Sequence, residues 1–273
     1  MNIRKHDYQL QTVPNGKDIL EMECYISRNK EYTQTLPLLP THLKENPDNL
    51  KIAHWLLVEN FSKWAWLELD IHIDIEMWKA ELDSVYNEFV PHPDQPNQLL
   101  YESLTMHGIS SQHTMHHSNY LDDDNILESQ VPYVWTEIAD RCPTITNFWK
   151  NEFPAEEWYR VRFLKMRSCG YIGVHKDMTT EQGQMWDILT MEFGVNMSIT
   201  HPEGCETWFD GFGKVPWAPG KFFLHNISKL HWVHNFTPYD RTHMIPMGRI
   251  GNRINEFCDL VVKSYLRQTN QTL

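Results

Sequence analysis

Two side chains able to bind a metal stand two residues apart in Val174-His175-Lys176-Asp177. Side chains alternate across an extended strand, so His175 and Asp177 would share one face while Lys176 points away. A second histidine brought alongside would complete two imidazoles and one carboxylate on one face of an octahedral ion. Non-haem Fe(II) sites use that set, which leaves about three positions open for other ligands. Five downstream histidines qualify: His201, His225, His231, His234 and His243. Arg241 lies among them, and its planar guanidinium is suited to gripping a carboxylate through paired hydrogen bonds.

These residues need strands to present them, and the surrounding sequence has that texture. From Trp158 to about Arg249 the runs YRVRFLKM, VNMSI, ETWF, KFFLHNI and HMIPM alternate or stay apolar, separated by Gly, Pro and polar turns. Residues 156–250 therefore read as a barrel or jelly roll of mostly β structure. Ile254, Phe257, Leu260, Val261 and Tyr265 then fit one face of a closing helix within residues 251–273.

The preceding residues 1–155 read as a helix-rich extension that packs on the β core and shapes a pocket or lid. Residues 1–50 are polar and Pro-containing, which suggests a wrapped arm with a strand or two. Leu67 to Ile75 alternates apolar with Glu68, Asp70, His72 and Asp74, the period of a half-buried strand. Trp78, Leu82, Val85 and Phe89 then recur at helical spacing before Pro91. Residues 92–130 read as a long loop interrupted by an apolar piece from Leu99 to Met106. The stretch from Pro132 to Phe153 is mainly helical with a break at Pro143.

Several landmarks occur in a fixed order. Arg160 and Arg162 lead through Gly170 into His175-x-Asp177; Pro202-Glu203-Gly204-Cys205, Gly220-Lys221 with an apolar strand, and His231-x-Val233 come next, with Arg241 ten residues beyond that histidine. In this order the sequence resembles the aspartyl/asparaginyl β-hydroxylase branch of the Fe(II)- and 2-oxoglutarate-dependent oxygenases, over roughly its last 120 residues.

The resemblance implies a double-stranded β-helix core, cupin-like in outline. It assigns His175 and His231 as iron ligands and Arg241 as the partner of a 2-oxoglutarate carboxylate, with O2 as the oxidant. Asp177 stands where most 2-oxoglutarate oxygenases carry their metal carboxylate, although relatives of the mammalian aspartyl hydroxylase lack it. A carboxylate there fills the space a halogenase would give to halide, so hydroxylation is the expected outcome. Asn196, near where the family often places a cosubstrate-binding histidine, is a candidate substitute. The implied reaction hydroxylates an unactivated C–H bond of an amino acid or peptidyl residue and decarboxylates 2-oxoglutarate to succinate. Two other readings are a cupin-like metalloenzyme that dispenses with 2-oxoglutarate, against which Arg241 argues, and a noncatalytic β-helix binding module, against which the intact triad argues.

Other features read more plainly. His113, His116 and His117 sit in a polar tract without cysteine partners, and Asp122-Asp123-Asp124-Asn125 lacks the glycine and glutamate of a calcium loop. Trp208, Phe209, Trp217, Phe222 and Phe223 read as wall or core residues. The net charge of -12, from 36 acidic against 24 basic residues, opposes nucleic-acid binding. The chain opens without an apolar export segment and has no apolar run of membrane-spanning length. Its five cysteines show no CxxC spacing. A cytoplasmic protein with no membrane partner is expected.

Overall fold

A computed structural model describes residues 16–92, 98–112, 133–177 and 194–273. Among the described residues, eleven strands form one antiparallel sheet: β1 (Trp66–Leu69), β2 (Val90–Pro91), β3 (Gln98–Gly108), β4 (Val134–Trp135), β5 (Glu157–His175), β6 (Gly194–Thr200), β7 (Cys205–Phe209), β8 (Gly213–Lys214), β9 (Phe222–His225), β10 (His231–Asn235) and β11 (Arg241–Arg249). The main path runs β1-β9-β6-β11-β5-β10-β7-β8, with β3 also paired to β5. This curled sheet is the double-stranded β-helix, and helices pack on it.

β5 is the hinge of the arrangement. Its first half pairs with β11, from Glu157 opposite Arg249 to Met166 opposite Arg241. Its second half pairs with β10. Between them the strand bulges: Tyr101 of β3 faces Met166 and Leu99 faces Tyr171, so residues 167–170 stand opposite Leu100 alone. Cys169 adopts φ 62 there and Leu100 φ 54. Gly170 has no room for a side chain, because a Cβ would lie 2.8 Å from the Arg167 carbonyl oxygen and 2.7 Å from Met166 Cγ. Bulges of this kind bend a strand and re-aim the residues beyond them.

Alternation then sorts the side chains. Val161 and Phe163 of β5, Met244 of β11 and Val195, Met197 and Ile199 of β6 join the main core. Helix Ile75–Val85 supplies Trp78, Leu82 and Val85 to the same core, and helix Ile254–Thr269 supplies Phe257, Val261 and Tyr265. Trp78, Phe148, Trp149 and Phe222 meet as a buried aromatic cluster, with Trp78 and Phe148 centroids 5.3 Å apart. Removing one such ring costs ~3–5 kcal/mol. Arg160, Arg162 and Leu164 occupy the other face of β5 and line a pocket.

Three local readings differ from the structure. Residues 16–50 form helices, Gly16–Asn29, Thr41–Glu45 and the start of Asn49–His54, and their one strand-like contact is the bridge from Thr33 to Gly213. The apolar piece from Leu99 to Met106, read only as a short break in a loop, lies within β3, the 11-residue partner of β5. The strand expected over Leu67 to Ile75 ends at Leu69, because Asp74 turns the chain into a helix by accepting from the Glu76 and Met77 amides at 3.2 and 3.1 Å. A period of two over so few residues does not distinguish a strand from a capped helix entry.

Candidate metal centre

In the register of β10 against β5, His231 stands directly opposite His175. Opposed residues of an antiparallel pair share a face, and these two rings lie 4.2 Å apart. Asp177 arrives by a route other than alternation. β5 stops at His175, and Asp177 sits in a bend anchored by its backbone N–H to the Ile227 carbonyl at 3.2 Å. Its Oδ1 is 3.3 Å from His175 Nε2 and its Oδ2 3.5 Å from His231 Nε2. The three donor atoms fall within 4.8 Å of one another, and no other such group of His, Cys, Asp or Glu occurs among the described residues.

The backbone fixes both imidazole tautomers. His175 Nδ1 lies 2.8 Å from the Gly173 carbonyl oxygen, and His231 Nδ1 lies 2.9 Å from that of Lys229. A carbonyl only accepts, so each Nδ1 carries the proton and each Nε2 turns a lone pair toward Asp177. Three lone-pair donors facing one another repel unless positive charge lies between them. In the metal-free site a proton on an imidazole supplies that charge, with Nε2–H donating to Asp177. Burial alone would raise the Asp177 carboxyl, but hydrogen bonds and charge from His175 and His231 outweigh it and hold the group well below the usual carboxylate range. For His175, burial opposes its charge, yet the hydrogen bond and charge of Asp177 prevail and raise its pKa. Donors ~2.1 Å from one ion at right angles stand about 3 Å apart, close to the separations found. Two imidazoles and a carboxylate suit Fe(II), so the donor set fits a ferrous ion.

These residues line a pocket of about 540 Å³ that also contains Arg241, Asn196 and His225. Arg241 opens β11 and is buried, its Nη2 donating to His243 Nδ1 at 2.6 Å. Its Nε and Nη1 meet no acceptor. Leaving buried charged donors unsatisfied costs ~1–3 kcal/mol each, a deficit that a carboxylate entering the pocket would remove.

Behind Arg241 the hydrogen bonds run in one direction. His201 Nε2 donates to the Cys205 carbonyl at 2.7 Å, so its Nδ1 accepts from His243 Nε2 at 3.0 Å, and His243 Nδ1 accepts from Arg241. Both imidazoles must be neutral for this order, and burial lowers them, His201 to about 4 and His243 well below its ordinary value, with the Arg241 charge adding to the effect. Asn196, on β6, directs Nδ2 to His225 Nδ1 at 3.0 Å, and its buried Oδ1 has no partner.

The sequence profile of the family described as Aspartyl/Asparaginyl beta-hydroxylase matches residues 110–247, just over half of the chain. The chain belongs to that family. It is therefore an Fe(II)- and 2-oxoglutarate-dependent hydroxylase by class, using O2. No curated protein matches it.

Solved structures that this aspartyl/asparaginyl β-hydroxylase family member is similar to include a Pseudomonas putida prolyl-4-hydroxylase, at 10% identity and TM-score 0.41 over 74% of this chain and 98% of the other. A Trichoplax adhaerens prolyl hydroxylase in complex with a hypoxia inducible factor peptide fragment has 9% identity and TM-score 0.42 over 80% and 97%. A Burkholderia pseudomallei oxidoreductase of the 2OG-Fe(II) oxygenase family has 16% identity and TM-score 0.38 over 76% and 94%.

In this hydroxylase-family chain several pocket residues escape a reading of the sequence. Tyr101, Gln98 and His92 reach the pocket from β3 and the segment just before it, a region whose alternation of Tyr101, Ser103 and Thr105 with Leu104 and Met106 is the available signal. His201 enters the sequence reading only as a possible metal ligand, and nothing in its spacing ties it to Arg241. Trp217 packs on His243 at 4.4 Å and on His225 at 5.5 Å, a wall role. The His113–His117 and Asp122–Asn125 tracts lie outside the described residues. Among the described residues no helix is long and apolar enough to cross a membrane.

Proposed function

We propose that His175, Asp177 and His231 hold the iron of this hydroxylase, that Arg241 holds the remote carboxylate of 2-oxoglutarate, and that the substrate is an amino acid, free or in a peptide. The observation that carries this reading is the convergence of the three donor atoms in one pocket with a buried guanidinium whose Nε and Nη1 lack acceptors. Bound there, iron and 2-oxoglutarate supply the oxidising chemistry, in which O2 is consumed, succinate and CO2 leave and a C–H bond gains hydroxyl.

The protein's own residues contribute geometry. Backbone carbonyls at Gly173 and Lys229 keep both Nε2 atoms aimed inward. Asp177 stays ionised and supplies the third donor. Arg241, locked through His243 and His201, fixes the orientation of a diacid. Phe209 stacks on His231 at 5.1 Å, and Trp217 closes the wall near His243, which keeps water from that side.

Past Arg241 the pocket continues along β5 and β11, where Arg162 faces Ile245 and Arg160 faces Met247. Guanidinium and apolar groups side by side suit the carboxylate or carbonyl groups and the aliphatic part of an amino acid. Residues 1–155 contribute His92, Gln98 and Tyr101 to this outer part, in keeping with an extension that shapes substrate access around a catalytic core at residues 156–250, with residues 251–273 closing the fold. Incubating the iron-loaded protein with 2-oxoglutarate, O2 and panels of amino acids and peptides tests the proposal. Mass spectrometry should find a substrate that gains one oxygen in step with succinate; succinate-free oxidation would contradict it.

A further inference from the structure

His225 ends β9 and is 5% exposed. It is outside the metal-binding group yet lines the same pocket. Two shared neighbours locate it. The Phe209 ring lies 5.3 Å from His225 and 5.1 Å from the metal-side His231. The Trp217 ring lies 5.5 Å from His225 and 4.4 Å from His243, the histidine that holds Arg241. His225 therefore sits between the two ends of the site, beside the path a diacid takes from the metal donors to Arg241.

Its hydrogen bonds define what it can offer. Asn196 Nδ2 lies 3.0 Å from His225 Nδ1. An amide nitrogen donates, so Nδ1 accepts and the ring proton belongs on Nε2. That Nε2 is buried without a partner. Burial, with the nearby His231 and Arg241 adding to it, lowers the ring to about 3, which keeps it neutral. Gly194, cross-strand from His225, lets the two strands pack closely: a Cβ there would lie 3.0 Å from the His225 carbonyl oxygen and 2.8 Å from Ile227 Cγ2.

We propose that His225, oriented by Asn196, is a further contact of the cosubstrate and donates its Nε2–H to an oxygen of the bound 2-oxoglutarate. This rests on the assignment of the metal and Arg241 sites above. It gives Asn196 an indirect role: its amide nitrogen sets the tautomer of the imidazole that touches the diacid.

The test uses the full chain loaded with Mn(II) under argon and 2-oxoglutarate as titrant in a calorimeter. His225→Phe keeps an aromatic ring beside Phe209 and Trp217 while it removes the Nε2–H donor, together with the Nδ1 acceptor of Asn196. A hydrogen bond to a charged acceptor contributes ~1.5–3 kcal/mol, so 2-oxoglutarate affinity should fall by about 10- to 100-fold while Mn(II) affinity stays unchanged. Asn196→Ala, which frees the ring without removing it, should give a smaller loss of the same kind. A second readout needs no variant: in nitrogen-15 spectra of the Zn(II)-loaded wild type, a neutral Nε2–H histidine signal should shift when 2-oxoglutarate is added. Equal 2-oxoglutarate affinity in wild type and His225→Phe, or loss of Mn(II) with the substitution, overturns the proposal. Failure of the wild-type protein itself to bind 2-oxoglutarate would instead overturn the functional assignment beneath it.

Discussion

His175 and His231 are cross-strand partners, and each imidazole is held by a backbone carbonyl two residues earlier in its own chain segment, Gly173 and Lys229. That matched pair aims both rings before any metal arrives. Both rings are oriented by main chain, so neither depends on another side chain to present Nε2.

Replacing either histidine by alanine should therefore abolish iron binding. Equilibrium dialysis of Fe(II) against His175→Ala and His231→Ala should show no bound metal, with far-ultraviolet circular dichroism unchanged. Asp177→Ala should lower iron affinity strongly as well. His231→Ala with normal iron affinity would place the third ligand elsewhere.

Arg241→Ala should separate cosubstrate from metal. Charge-assisted hydrogen bonds contribute ~1.5–3 kcal/mol each, so losing the guanidinium should weaken 2-oxoglutarate by on the order of 100-fold. Iron affinity, measured in the same protein, should stay within a few-fold of wild type.

The histidines behind Arg241 act through it. His243→Phe keeps a ring packed against Trp217 but deletes the Nδ1 acceptor that fixes Arg241 Nη2. The expected result is about a 10-fold rise in KM for 2-oxoglutarate, with kcat and iron affinity little changed. A fall in kcat at constant KM would point to a different role.

Buried neutral histidines also shape stability. Burial lowers His107 and His201 to about 4 and His225 to about 3, and His243 is lowered as well. Each binds its proton more weakly folded than unfolded, so each contributes stability that is complete above pH 6.5 and declines as pH falls toward its folded pKa. The slope is about 1.4 kcal/mol per pH unit for each group in that window. His175, raised by Asp177 in the metal-free protein, works in the opposite sense, but its contribution grows as pH falls toward 6.5 and is already in place below it, so it does not offset this loss. The metal-free chain should lose several kcal/mol between pH 6.5 and 5, visible as a steep drop in Tm. A flat Tm over that range would show these imidazoles to be solvated.

The convergence of the candidate site residues is more legible in the sequence than the framework that carries them. His175, Asp177, His231 and Arg241 are readable because their order and spacing are constrained by strands that must meet. Even so, Asp177 reaches the site through a bend pinned to Ile227, a contact no local pattern encodes. The choice among five histidines comes from resemblance, since a strand's partner is set by distant segments. β3 is hidden because its ends lie among prolines and polar residues, and its pairing with β5 depends on a bulge at residues 167–170. The helices at 16–54 read as an arm because prolines at 37, 40 and 47 mark helix boundaries and connections as readily as they mark coil. The link from Arg241 through His243 to His201 joins residues 40 positions apart, and only the alignment of β11 with β6 brings them together.

Anaerobic titration of the folded protein with Fe(II) and then 2-oxoglutarate bears most directly on the whole scheme. A visible metal-to-ligand charge-transfer band should grow to one equivalent of each, disappear in His231→Ala, and demand far more 2-oxoglutarate in Arg241→Ala. Well-folded protein that takes up Fe(II) yet shows no band at saturating 2-oxoglutarate would contradict the assignment of this pocket.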